Sequence, residues 1–62
     1  MWTQIRVAPN LITAEMWKEL FEGEGIPTRI LPEGLVMAEG VSYQVLVPEL
    51  KKHIVEEILR KL

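Results

Sequence analysis

The amino-acid sequence predicts an α+β fold, a single three-stranded antiparallel sheet with two helices on one face, in the order β-α-β-β-α. Three observations carry that prediction. Residues alternate between two faces across Trp2–Ala8 and again across Val41–Val47, as strands do. Apolar residues recur at helical spacing from Leu11 to Gly23 and again after Pro48. Glycine or proline punctuates each change of period. At 62 residues, 48% of them apolar, the chain is expected to form one domain, residues 1–62. That is near the size at which only ~60% of the unfolded surface is buried, so burial through self-association would add stability.

In the first strand Thr3, Ile5 and Val7 fall on one face and Trp2, Gln4, Arg6 and Ala8 on the other, until Pro9 and Asn10 end it. In the first helix Ala14, Trp17, Leu20 and Phe21 share an apolar arc, and Glu15, Lys18, Glu19 and Glu22 share the opposite side. Met16 widens the arc toward solvent, and either Asn10 or Thr13 is suited to cap the first turn. Ile26–Leu31 reads as extended, with Pro27 marking an edge strand or a strand start. Turn residues at Pro32-Glu33-Gly34 and Glu39-Gly40 then bracket Leu35-Val36-Met37, which reads as a hairpin connection. In the third strand Val41, Tyr43, Val45 and Val47 oppose Ser42, Gln44 and Leu46. Pro48 is expected to open the second helix, with Glu49 near its positive end. Leu50, Ile54, Ile58 and Leu62 form its stripe, broadened by Val55 and Leu59. Lys52, Glu56 and Arg60, and likewise His53, Glu57 and Lys61, give it a solvated charged side.

The glycine-rich stretch "FEGEGIPTRI", residues 21–30, raises the question of a phosphate site. Phosphate-cradling glycine loops precede a helix, where free amides and the positive dipole end meet the anion. Here Gly23 and Gly25 follow the helix, and Glu22 and Glu24 add repulsion. The stretch therefore reads as a glycine C-cap, whose signature is left-handed backbone at Gly25, or at Gly23 if the helix ends sooner.

Ala14, Leu20, "EGIPTRILPEG", "YQVLVPE" and the closing amphipathic helix together resemble a small prokaryotic family described as signal-transducing and of unknown molecular function. The resemblance runs from about Thr13 to Leu59 and rests on a helix-glycine-isoleucine corner and a Val-Leu-Val-Pro strand end. It implies a fold related to half of a ferredoxin-like unit and a regulatory or interaction role. It carries over no catalytic or ligand residues. Some relatives bear an additional metal-binding ribbon, and with no cysteine among these 62 residues none is expected within them.

The inventory for catalysis is thin: one His, one Ser, one Tyr, no Cys and no Asp. Ser42 would need a base beside it. His53, on the polar side of the last helix, reads as a solvated residue and not as the proton-transfer partner of Glu57. A lone His among glutamates has none of the spacing of a zinc site, so neither metal nor other cofactor is expected. No enzymatic activity is expected either. A formal charge of −2 with interspersed Lys, Arg and Glu gives no footprint for nucleic acid. No run approaches the ~20 apolar residues of a membrane span and no signal peptide is evident, which places the chain in the cytoplasm as an expectation.

The sheet is the more informative feature. If both helices cover the face made by Ile5, Val7, Val45 and Val47, joined by Ile26, Thr28 and Ile30, the opposite face presents Trp2, Gln4, Arg6, Arg29, Leu31, Gln44 and Leu46. That is the composition expected of an interaction patch, the plainer alternative being a wet antiparallel sheet face with scattered apolar residues. A β-α-β crossover with a hairpin return places the third strand between the other two and leaves the first strand an open edge, where a full ferredoxin-like unit carries a fourth strand. The expected function is a non-enzymatic interaction or regulatory module, a homodimer through that edge or that face, or a binder of another protein. The alternative is a small-ligand sensor in which Arg6 or Arg29 holds a carboxylate or phosphate at a subunit interface. Trp17 with Met16 is a second candidate surface, with Trp17 read as a core residue at the helix margin.

Overall fold

The computed structural model describes residues 1–33 and 41–62. Its elements are β1 (Trp2–Ala8), α1 (Leu11–Gly23), β2 (Arg29–Pro32), β3 (Tyr43–Pro48), a 3-10 turn (Glu49–Lys51) and α2 (Lys52–Arg60). β3 lies in the middle of one sheet of order β1-β3-β2 and pairs antiparallel with both neighbours. The order of elements, the antiparallel sheet and the central place of the third strand are those the sequence predicts. This is the arrangement of a ferredoxin-like unit without its last strand. The expected connection at Leu35-Val36-Met37 lies outside the described residues.

The core forms where apolar faces of the sheet and both helices meet. Ala8, Ala14, Phe21, Ile26, Val45, Val47 and Val55 are buried, with Ile5, Trp17, Leu20, Ile30, Ile54 and Ile58 packed around them. Thr28 joins this layer and satisfies its hydroxyl by donating to the Ile26 carbonyl at 3.1 Å.

Both ends of α1 are built by local chemistry. Asn10, in extended backbone, accepts a hydrogen bond from the Thr13 amide at 2.8 Å, which gives one orphan donor of the first turn a partner. At the other end the Ile26 amide donates to the Phe21 carbonyl and the Gly25 amide to the Glu22 carbonyl, both at 3.0 Å. These two bonds, with Gly25 at φ 83° and Ile26 buried against Phe21, make a Schellman turn. The glycine-rich stretch thus ends a helix, with Gly25 as the left-handed residue.

Four expectations are corrected. The second strand pairs only over Arg29–Pro32, because the Ile26 amide is taken by the Phe21 carbonyl and Pro27, itself exposed, has no amide to donate to a ladder. The chain after Pro48 first makes the 3-10 turn, with the Glu49 amide donating to the Met1 carbonyl at 2.7 Å. That tighter turn rotates the start of the helix, so Leu50 stands 86% exposed and the buried stripe centres on Val55. Leu62 lies beyond the end of α2 and is also exposed.

The fourth correction concerns β1. Thr3 pairs with Val47 and Gln4 with Leu46, but Arg6, not Ile5, pairs with Val45. Ile5 is the extra residue of a β-bulge, and every residue after it changes face. Ala8, expected on the uncovered face, is fully buried, while Val7, expected in the core, is 42% exposed.

Candidate functional site

The side of the sheet away from the helices is formed by two cross-strand rows. Gln4, Leu46 and Arg29 make one, and Val7, Gln44 and Leu31 the other. Trp2, paired with Pro48, closes the end nearest Arg29. Of the seven residues predicted for this face, Trp2, Gln4, Arg29, Leu31, Gln44 and Leu46 stand there together. Leu31 is 49% exposed and Trp2 38%.

Arg6 does not. Its guanidinium lies 4.4 Å from the ring centroid of Trp17 on α1, so the bulge has carried it to the helix side of the sheet. Trp17 is correspondingly a half-buried packing residue, stacked on Phe21 with centroids 5.8 Å apart and planes at 22°. Val7 takes the vacated place on the open face, and sequence alternation missed it. The signal was the adjacent Val7-Ala8 pair, in which either residue suits the core.

Arg29 is held from within the face. Its guanidinium sits 4.5 Å from the centroid of the Trp2 ring, reaching across β3 to do so. A cation–π contact does not consume the N–H donors of a guanidinium as an ion pair would, so they are able to serve an acceptor. Among the described residues the ion pair present is Arg60 with Glu57, 3.8 Å apart on the outside of α2, so Arg29 has no carboxylate partner there. The three strands contain no acidic residue at all. Glu33 and Glu49 lie one residue beyond β2 and β3, at the rim.

Two further apolar surfaces lie on the helical side. A groove between α1 and α2 is lined by Leu20, Ile54, Ile58 and Leu62, with His53 and Glu57 at its margin. A hollow on α1 is formed by Thr13, Met16, Trp17 and Leu20. Ser42 is not part of the groove that contains His53, and its carbonyl accepts from the Glu33 amide at 2.8 Å as a continuation of the ladder. Arg6 and Arg29 line neither surface. Among the described residues no three His, Cys, Asp or Glu side chains converge as metal ligands, and no helix is long and apolar enough to cross a membrane.

Fold and surface together define a small α+β domain with helices on one side of its sheet and an aromatic-aliphatic face on the other. Comparison of the chain with protein-family models, with curated proteins and with solved structures returns no match.

Proposed function

We propose that the protein is a non-enzymatic interaction or regulatory module, and that its working surface is the uncovered face of the sheet. The observation that carries this reading is the exposure of Trp2, Val7 and Leu31 on one regular face that no helix among the described residues covers. A soluble domain rarely leaves a contiguous patch of large apolar side chains to water unless something docks there.

The face is favoured over the edge of β1. A flat edge strand invites strand addition, whereas a bulge bends and twists the edge away from a partner strand. Ile5 puts the bulge in the middle of β1, leaving only short regular runs on either side.

The test is sedimentation velocity of the purified chain across a concentration series, alone and mixed with extract of its source cells, for the native chain, Leu31→Glu and Met16→Glu. A complex that Leu31→Glu abolishes and Met16→Glu preserves supports the open face. The reverse pattern transfers the interaction to the exposed side of α1, and a complex indifferent to both overturns the reading.

A further inference from the structure

We infer that the open sheet face receives one acidic amphipathic helix of a partner protein, its carboxylates on the Arg29 guanidinium and its apolar stripe over Leu46, Leu31 and Val7, an inference that rests on the reading just given.

Charge is the first argument. The face has one cation, Arg29, and no acid within its strands, whereas α1 and its C-cap carry Glu15, Glu19, Glu22 and Glu24. Arg29 is held in place by Trp2 and has no carboxylate partner among the described residues. A guanidinium resting over an aromatic ring is suited to bidentate recognition of a carboxylate, since the ring contact already favours the extended rotamer that presents it.

Charge also argues against a second copy. The strands of an identical face offer Arg29 no carboxylate, and the glutamates next to them, Glu33 and Glu49, lie at the rim and not under the apolar rows, so a second copy leaves the guanidinium poorly paired in the interface. It argues equally against a single-stranded nucleic acid. Such ligands need a run of cations along the backbone as well as a stacking platform, and here only the platform exists.

Size selects the form of the occupant. Three strands about 4.8 Å apart give a width of about 14 Å, and the seven residues of β1 a length of about 23 Å. One helix, roughly 10 Å across and 1.5 Å per residue, fills that area with about 15 residues. An extended segment would instead need an edge, and the edges are obstructed by the bulge in β1 and by Pro27 and Pro32 beside and within β2.

The experiment titrates the isotope-labelled full chain with two 15-residue helical peptides that share one leucine stripe, with glutamate at the polar positions of one and lysine at those of the other. A thymidine dodecamer is the third probe. Expected are amide shifts centred on Trp2, Arg29 and Leu46, binding of the glutamate peptide about 10-fold or more tighter than the lysine peptide at low salt, and weakening as salt rises. Arg29→Glu should abolish or reverse the preference and Arg60→Glu, on the outside of α2, should leave it intact. If Arg29→Glu does not fold, Arg29→Gln must lose the preference. Equal binding of both peptides on the sheet, preference for the oligonucleotide there, or occupation of the face by a second copy each overturns the acidic partner and retains the open-face reading. Shifts confined to the helical side, or no saturable shift with the glutamate peptide, overturn the inference, and the first of these overturns the open-face reading as well.

Discussion

Gly25 and Gly23 stand two residues apart and respond oppositely to the same substitution, because one is left-handed and the other helical. At φ 83° Gly25 occupies a region where a Cβ meets the backbone, and an L-residue there costs about 1–2 kcal/mol although the space around it is open. Gly23 is the last residue of α1, also has open space, and has no positive φ. Gly25→Ala should therefore destabilise by about 1 kcal/mol, and Gly23→Ala should stabilise by several tenths, up to about 1 kcal/mol, through the lower entropy of the unfolded chain. Urea midpoints at unchanged slope would check both signs. The helix stop was legible because both glycines follow the helical run and precede Ile26 and an extended segment, but which of them is left-handed was not, and only the observed φ at Gly25 decides it. The choice of Asn10 over Thr13 as the cap was not legible either, since both carry suitable oxygens and only the observed hydrogen bond separates them.

β1 is the element whose reading changed most, and the cause is one inserted residue. Its partner row runs Val47, Leu46, Val45, Gln44 and Tyr43, and opposite it Ile5 is extra. Both Ile5 and Arg6 face the helices, Ile5 against the core and Arg6 over Trp17. Periodicity could not reveal this, because Trp2–Ala8 contains apolar residues at positions of both phases and no glycine to mark the bulge. By contrast β3 was legible because its buried valines, Val45 and Val47, hold one phase throughout. Deleting Ile5 leaves the remaining pairs in register and makes the edge regular. The deletion variant should thus keep the native sheet, lose about 1–2 kcal/mol from the missing half-buried side chain, and associate through the edge it has gained. Its sedimentation mass should rise with concentration more steeply than that of the native chain. Unchanged mass would mean that the bulge is not what guards the edge.

For the whole molecule the decisive contrast lies between the two sides of the sheet. A chain of 62 residues has a net stability of roughly 3–9 kcal/mol, so a single large loss in its small core is close to the total. Phe21 is fully buried and its ring stacks on Trp17, so Phe21→Ala should cost about 3–5 kcal/mol and leave a large unfolded fraction. Leu31 belongs to the other side, where half of its surface already meets water. Leu31→Ala should shift stability by at most about 1 kcal/mol, since little apolar area returns to solvent on unfolding. Circular dichroism melts of the two variants against the native chain would read the difference directly. A small effect at Leu31 means that a large apolar side chain is kept on the surface without repaying its exposure in stability, which is the condition expected of a residue retained for docking. A loss at Leu31 comparable to that at Phe21 would instead make the open face part of the folding core, and the interaction reading would lose its physical basis.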